Sequence, residues 1–497
     1  MGARGRTSRS ILAGAGVALV ALGTAVAWVE MGRAGELRRS RAARNRQLVG
    51  LGTRMGSAWA RHRARRLFAS AERRDELDLE FQLTTAEQVT EELGHMKGAM
   101  MKIGQMASYL DTGLPDHVRA ALSQLQQDAP PMAPDLVDEM IRSELGAVPA
   151  DLFDQWDPVP LASASIGQVH RAVTREGQAV AVKVQYPGVA EAIAADLGNA
   201  DLIFGALSSM FPGLDTDAVI VELRERLTEE LDYDIEAENQ RGFAARFRGH
   251  PVIHVPEVIG DYCTARVLTT ELVVGTRFEE VVETWSAAER NLAAETLYRF
   301  AFGSIYRLQA FNGDPHPGNY LFHGDGRVSF LDFGLVKRFT DAETDQFGRL
   351  IETMVLEHDP AAFREIIEGL ALLDPGLDAS DDEVVAYFRH FYEFVLHKGV
   401  TTISPEYAAE GVKKIFDTSG PHAQIQKAAN VPPSFVVLQR INLGLISLFA
   451  DLGATADWRA IAEELWPFVH RAPVSDIGHR IEHWRQQSDL VPEPQGL

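Results

Sequence analysis

The chain has 497 residues, of which 46% are hydrophobic and 24% charged, so it is long enough for two or three folded units. Its formal net charge of -22 is uneven: residues 1–70 hold fourteen arginines against Glu30 and Glu36, which gives +12 and leaves -34 for the remainder. The acidic body argues against nucleic acid as a partner, and the single cysteine, Cys263, excludes an intrachain disulfide and fits a reducing compartment.

The first predicted element is an apolar segment near the N-terminus. Residues 11–29 are nineteen uncharged, mostly apolar residues, which at about 1.5 Å per residue just cover a hydrocarbon core of roughly 30 Å. More arginines follow this run than precede it, which favours a membrane anchor with the following chain in the cytoplasm. Two alternatives are a cleaved signal peptide, since residues 25–27 resemble a cleavage site, and a short apolar helix without a membrane role.

The next segment is rich in arginine and has a helical pattern. Over residues 45–70, Leu48, Leu51, Met55 and Trp59 share one helix face, while arginines occupy much of the remainder. Such a basic amphipathic helix is typical of a membrane surface. A solvated linker helix explains the same pattern.

The rest of the chain reads as an α+β fold, with a small β-rich lobe followed by a helical lobe. Helical periodicity dominates from about residue 84 to 145, with breaks at 113–115 and 130–131, and from the first predicted hairpin to about 247. It returns over 285–311 and from the second predicted hairpin to about 470, and the Pro-containing tail after it reads as loose. The apolar run 435–449 is interrupted by Arg440 and Asn442, which favours a buried helix over a second membrane span. The predicted strands form two hairpins, 169–173 with 179–184 and 320–322 with 328–331, and further strands are predicted at Val258 and over 267–272.

Several polar residues follow one another in an order that suggests phosphate chemistry. Lys183 lies inside an apolar strand, where its charge requires an anionic partner unless the strand is at an edge and the side chain reaches solvent. Asp314 and Asn319 lie five residues apart in a loop that contains two prolines, and Asp332 follows the second hairpin in an Asp-Phe-Gly sequence. This is the layout of a kinase, with a carboxylate that orients the acceptor and two oxygen ligands for Mg²⁺.

The carboxylate that pairs with Lys183 is expected on the helix around residues 222–240. That segment is rich in acidic residues, most of which fit a solvated face. Glu230 and Glu236 are six residues apart and therefore face different directions, so they can serve two different cations. Lys102 is the candidate for the second cation.

These motifs resemble those of the UbiB/AarF family of atypical kinase-like proteins, over about residues 85–450. The match consists of a K-x-G-Q motif, an alanine-rich nucleotide loop, an E-x-D motif, and a G-D-P-H-P-G-N loop followed by Asp-Phe-Gly. The matching residues before the G-D-P-H-P-G-N loop are Lys102, Gly104, Gln105, Ala162, Ser163, Ala164, Ser165, Glu230 and Asp232.

The resemblance implies a role for each motif. Lys183 contacts the phosphates of ATP and pairs with Glu236, while the loop of residues 162–165 covers the nucleotide. Asp314 is the catalytic carboxylate, and Asn319 and Asp332 hold Mg²⁺. A regulatory set on a family-specific helical extension partly covers the cleft, with Lys102 reaching Glu230 and Asp232.

The resemblance also implies a protein-kinase-like bilobal fold and a membrane-associated ATPase of the phosphotransferase class. It implies ATP and Mg²⁺ as cofactors, and membrane lipids, isoprenoid quinone precursors and a biosynthetic complex as partners. An active protein or small-molecule kinase and a nonenzymatic ATP-gated scaffold are the alternatives. We divide the chain into membrane anchor (1–30), basic amphipathic juxtamembrane segment (31–84), helical extension with K-x-G-Q (85–155), N-lobe (156–275), C-lobe (276–470) and tail (471–497).

Overall fold

The computed structural model describes residues 132–164, 166–190, 230–416, 420, 422–430 and 433–488. These residues belong to the second of the two units into which the chain divides, Ala129–Leu497. The predictions made for the membrane anchor, the basic juxtamembrane segment, and Lys102, Gly104 and Gln105 lie outside the described residues. Ser165 also lies outside them.

Two helices and a strand open the described part of the chain. Helix α1 (Pro134–Leu145) has proline in its first turn and ends at Gly146, whose φ of 82° closes the helix. A short helix α2 (Pro149–Leu152) leads into strand β1 (Phe153–Trp156). The last residues of the segment 85–155, predicted to be helical, therefore belong to a sheet.

A five-stranded antiparallel sheet forms the first lobe, which we call the sheet lobe. Its strands follow the order β1, β3 (Gly167–Thr174), β4 (Ala179–Gln185) and β6 (Val267–Glu271), and β2 (Ala162–Ser163) also pairs with β3. The predicted hairpin of β3 and β4 is confirmed, and Gly177 turns it with a φ of 85°. Val180, Val182 and Val184 alternate along β4 and bury one face against α1.

Helix α3 (Tyr233–Arg246) starts at Asp232, whose side chain accepts a hydrogen bond from the backbone amide of Asp234. Strand β5 (Ile253–His254) and β6 follow it. The chain then passes through residues 272–277 into the second lobe, which we call the helical lobe.

The helical lobe is organised around α5 (Ala287–Leu308), which follows the short helix α4 (Phe278–Thr284). Ser286 and Glu289 form a capping box at its start, and Gln309 ends it with a φ of 50°. The helix predicted over 285–311 is therefore confirmed within a few residues.

Four short strands hold the loops between α5 and the remaining helices. Strand β8 (Tyr320–Phe322) pairs with β9 (Val328–Phe330), as the second predicted hairpin requires, and β9 pairs in parallel with β5. Strand β7 (Ala310–Asn312) pairs with β10 (Val336–Arg338). These pairings fix both ends of the loops 313–319 and 331–335.

Helices and one small strand pair complete the helical lobe. The helix Pro433–Leu452, which we call α12, is buried through Ile441, Leu445, Leu448 and Phe449, which agrees with the predicted buried helix. Among the described residues, no helix is both long enough and apolar enough to cross a membrane. The remaining elements up to residue 465 are α6 (Asp341–Ile351), a π-helix (Glu352–Glu357), α7 (Pro360–Gly369), α8 (Asp381–Phe388), α9 (Glu393–Leu396), β11 (Thr401–Thr402), α10 (Pro405–Phe416), α11 (Ala423–Ala428), α12 (Pro433–Leu452), β12 (Thr455–Ala456) and α13 (Trp458–Leu465).

The segment 471–497, which the sequence suggests to be a loose tail, contains a docked helix. Helix α14 (Asp476–Ser488) buries Ile477 and Ile481 in the core of the helical lobe. Its start is fixed by the buried guanidinium of Arg299 in α5, which donates to Glu464 at 2.7 Å and to Ser475 at 3.2 Å. The helix is ordered because its apolar face covers α5 and its first turn completes a buried ionic cluster.

Candidate functional site

The site is built around Lys183 on the central strand β4. The Nζ atom of Lys183 lies 2.8 Å from each carboxylate oxygen of Glu236 in α3 and 3.4 Å from Oδ2 of Asp332. The side chains of Lys183 and Glu236 are only 17% and 5% exposed. The edge-strand alternative for Lys183 is therefore wrong, because β4 lies between β3 and β6 and the ammonium group meets carboxylates rather than solvent.

The electrostatics of this cluster keep the lysine charged. Burial by itself lowers the pKa of Lys183, but the carboxylates of Asp332 and Glu236 outweigh burial and hold that pKa well above its usual value. Because Lys183 stays charged and contacts both Glu236 and Asp332, it joins the sheet, helix α3 and the loop after β9. It also presents a positive charge to any anion that enters the site.

The loop between β7 and β8 carries Asp314 and Asn319. The amide group of Asn319 donates to both the backbone carbonyl and Oδ2 of Asp314, each at 3.1 Å. The loop turns through a short 3₁₀ helix (Pro317–Asn319), and His316 accepts a hydrogen bond from the amide of Gly318. The two prolines limit the loop to few conformations, so the carboxylate and the amide stay together.

The Asp-Phe-Gly segment is held from three sides. The Oδ1 atom of Asp332 accepts from the Gly334 amide at 2.9 Å, and Asn312 donates to the Asp332 carbonyl. Phe333 is fully buried against Phe243 of α3, with 5.0 Å between the ring centroids. Asp332 is thereby fixed beside Lys183 while its Oδ2 atom faces the cluster.

Two asparagines that the sequence does not predict support this segment. Asn239 in α3 donates to the Phe333 carbonyl at 3.2 Å and accepts from Arg338 at 3.1 Å. Asn312 ends β7 and reaches the Asp332 carbonyl. Asn312 could have been found from the sequence, because it is a polar residue at the end of an apolar strand just before Asp314. Asn239 could not, because it lies in a segment rich in acidic residues that reads as a solvated helix face.

The alanine-rich loop lies at the start of β3. Ala162 and Ser163 form β2 and are exposed, and the amide of Ala164 donates to the Gly167 carbonyl at 2.8 Å. A Cβ atom on Gly167 would lie 2.3 Å from the Val184 carbonyl, so only glycine permits this close approach of β3 to β4. The loop is thus anchored at its end and open to solvent at its start.

Glu230 and Asp232, the acidic residues of the predicted E-x-D motif, lie just before α3. Asp232 caps α3, which is a structural role, and Glu230 precedes it by two residues. Burial raises the pKa of Glu236, the Lys183 ammonium opposes this rise, and the carboxylates of Asp332 and, least, Glu230 add to it. The expected partner of the E-x-D motif, Lys102, lies outside the described residues, so that pairing stays a prediction.

The side-chain oxygens of Asp332 and Asn319 are suitable ligands for a magnesium ion. Asp332 keeps Oδ2 towards the cluster, and Asn319 uses its Nδ2 for Asp314, which leaves its carbonyl oxygen outside the hydrogen bonds seen among the described residues. No group of three or more His, Cys, Asp or Glu side chains in the described ranges could hold a metal alone. Mg²⁺ bound with a nucleotide needs only one or two carboxylates, because phosphates and water supply the other ligands.

The sheet lobe carries the lysine and helix α3 carries its glutamate, while the helical lobe carries Asp314, Asn319 and Asp332. This arrangement defines a kinase-like protein of mixed α and β structure. Residues 124–366 match the model of the ABC1 atypical kinase-like domain. The chain belongs to this family, which is the UbiB/AarF family of atypical kinase-like proteins.

Relatives named as atypical kinases occur in distant organisms. Atypical kinase COQ8 of Saccharomyces cerevisiae is 31% identical over 284 residues, which are 57% of this chain and 56% of the yeast protein. Atypical kinase COQ8B of Rattus norvegicus is 32% identical over 269 residues, which cover 54% of this chain and 51% of the rat protein. The chain thus spans about half the length of these curated relatives.

A solved structure agrees with the fold. The chain is similar to Rv3197 of Mycobacterium tuberculosis in its complex with erythromycin, with a TM-score of 0.58 and 30% sequence identity. The similarity covers 79% of this chain and 98% of that one. The fold of this chain therefore has an experimental counterpart.

Proposed function

We propose that this chain is an atypical kinase-like ATPase that binds ATP with Mg²⁺. The observation that carries the proposal is the buried cluster of Lys183, Glu236 and Asp332, with Asn319 holding Asp314 in the neighbouring loop. A charged lysine beside an aspartate, next to an oxygen-rich loop, is the arrangement that phosphoryl transfer requires.

The junction between the lobes also offers a surface for an adenine ring. Val274 in the connecting segment is 78% exposed, and Leu161 just before the nucleotide loop is exposed as well. Arg277 donates to the Leu161 carbonyl at 3.5 Å, which brings the connecting segment and the loop together. Exposed apolar side chains at such a junction support packing against the flat faces of an adenine ring.

Each polar residue has a role in the proposed reaction. Lys183, held by Glu236, orients the phosphates of ATP. Asp332 and Asn319 would hold Mg²⁺, which supplies charge neutralisation on the phosphate oxygens. Asp314 accepts the proton of the attacking water or hydroxyl, a bond forms from that oxygen to the γ-phosphorus, and the bond to ADP breaks.

We further propose that the reaction supports isoprenoid quinone or lipid metabolism at a cell membrane. The relatives named COQ8 and the apolar run at 11–29 support this setting. In this proposal the run is a single-pass anchor, the kinase-like unit faces the cytoplasm, and a prenylated phenol or lipid is the partner.

The test is nucleotide turnover by the purified chain with Mg²⁺, with and without anionic liposomes and a prenylated phenol. Wild type is compared with Asp332→Asn and Lys102→Ala. Turnover that requires Asp332 and rises with liposomes is the expected result. Binding without turnover under every condition would contradict the ATPase and favour the scaffold, whereas phosphate transferred to an added protein by a chain with intact Lys102 would favour the kinase.

A further inference from the structure

Tyr233, the first residue of α3, lies directly beneath the catalytic lysine. Its side chain is 1% exposed, and its ring centroid is 4.9 Å from Nζ of Lys183. Its backbone amide donates to the Ala265 carbonyl at 3.0 Å, which fixes the residue against the loop before β6. The ring therefore stabilises the ammonium group in addition to its carboxylate partners.

The hydroxyl of Tyr233 points towards the end of the nucleotide loop. A Cβ atom placed on Gly167 would lie 3.0 Å from this hydroxyl, so the oxygen closely approaches the start of β3. Among the described residues the hydroxyl is buried and makes no hydrogen bond. Burial raises the pKa of Tyr233, so the group keeps its proton and is an available donor.

A buried donor without an acceptor is costly, and such groups are rare unless a ligand completes them. The ring of Tyr233 contacts the lysine that would orient phosphates, and its hydroxyl lies beside Gly167, which follows the loop that would cover them. The acceptors that ATP introduces at this place are phosphate oxygens.

We infer that the Tyr233 hydroxyl is a further nucleotide-binding group that donates a hydrogen bond to a phosphate oxygen of ATP. This inference rests on the proposed function, since it names a contact of the same site. It explains why a tyrosine rather than a phenylalanine is buried beside Lys183. The buried hydroxyl without an acceptor destabilises the nucleotide-free protein, and the phosphate oxygen supplies the acceptor when the nucleotide binds.

The test compares the complete wild-type chain with Tyr233→Phe, which keeps the ring beneath Lys183 and removes only the hydroxyl. Dissociation constants are measured by calorimetry for ATP with Mg²⁺, ADP with Mg²⁺ and adenosine, and melting temperatures are measured without nucleotide. We expect the variant to bind ATP roughly 5- to 10-fold more weakly, to bind adenosine as wild type does, and to melt at or above the wild-type temperature. Tyr298→Phe, a change at a buried tyrosine of α5 outside the site, serves as the matched control and is expected to leave nucleotide affinity unchanged.

Three outcomes would overturn the inference. The first is wild-type affinity of Tyr233→Phe for ATP, and the second is an equal loss for adenosine and ATP, which would place the contact away from the phosphates. The third is a lower melting temperature of the empty variant, which would mean that the hydroxyl already has a stabilising partner. If wild type itself binds no nucleotide, the proposed function fails; if wild type binds and the variant binds equally, only the role of Tyr233 fails.

Discussion

At the scale of single residues, the pair of Lys183 and Glu236 shows how a buried charge depends on its partner. Neither side chain has enough solvent to stay charged alone, and the 2.8 Å contacts with both carboxylate oxygens replace the lost hydration. The pair also crosses from the sheet to α3. Its loss therefore affects both stability and the orientation of the lysine.

We predict that Lys183→Met destabilises the fold by about 3–5 kcal/mol, because Glu236 is left buried without its cation. The double variant Lys183→Met with Glu236→Leu should recover most of this loss, since no charge remains at the position. Urea unfolding of the three proteins measures the difference. Neither variant should bind ATP, and a single variant as stable as wild type would show that Glu236 does not need the lysine.

The sequence predicts the principal residues of the candidate site but not their supports. A lysine in an apolar strand requires an anion, and the spacing of Asp314, Asn319 and Asp332 indicates phosphate chemistry. Asn239 could not be found in this way, because its partner, the Phe333 carbonyl, is 94 residues away in the chain. The position of Tyr233 beside Lys183 cannot be predicted from the sequence for the same reason, since it depends on how α3 packs on the sheet.

At the scale of elements, the close packing of α12 against the Asp314 loop depends on one glycine. A Cβ atom on Gly444 would lie 2.3 Å from Cγ of Pro315, the residue that follows Asp314. The helix therefore supports the loop through direct contact with its proline. Any side chain at residue 444 must move either the helix or the loop.

We predict that Gly444→Ala destabilises the protein by about 1–3 kcal/mol through overpacking, although alanine favours helices. Displacement of the loop should also lower nucleotide turnover, by up to about 100-fold for a shift of 1 Å. Gly411→Ala in α10 is the matched control, because a Cβ atom there meets nothing within 4 Å. That variant should gain roughly 0.5–1 kcal/mol and keep full turnover; equal behaviour of the two variants would contradict the contact with Pro315.

Elements with local signals were predicted well, and elements defined by remote contacts were not. The hairpin of β3 and β4 follows from two β-branched runs around a turn with Gly177. Strand β1 and helix α14 have weak patterns of their own, since β1 is defined by pairing with β3 and α14 by its burial against α5. Their burial appears only when the whole lobe is assembled.

At the scale of the whole molecule, His250 joins the end of α3 to the C-terminal helix α14. Its Nδ1 accepts hydrogen bonds from the amides of Ile253 at 2.9 Å and Val252 at 3.3 Å, which requires an unprotonated nitrogen. Its ring meets Trp484 at 4.7 Å between centroids. Burial, followed by the charges of Arg485 and Arg307, lowers the pKa of His250 to about 3.

This lowered pKa predicts a loss of stability in acid. The unfolded chain binds a proton at His250 below about pH 6.5 whereas the folded chain does not, so stability falls as pH drops from about 6.5 towards 3. The contribution of this residue is up to about 1.4 kcal/mol per pH unit. Urea unfolding between pH 5 and 7, followed by tryptophan fluorescence, measures it. His250→Asn keeps an acceptor for the amides but cannot titrate, and an unchanged pH dependence in that variant would assign the effect to other groups.

The buried cluster at the start of α14 also bears on how the protein is made. Arg299 is 3% exposed, and its partners Glu464 and Ser475 lie 165 and 176 residues later in the chain. A ribosome that adds about 5–20 residues per second takes roughly 10–30 s to cover the first of these distances. Throughout that interval the guanidinium of Arg299 in α5 lacks the carboxylate of Glu464. The helical lobe therefore cannot complete its folding until α13 and α14 have been synthesised, and until then the core of this lobe lacks Ile477 and Ile481 of α14.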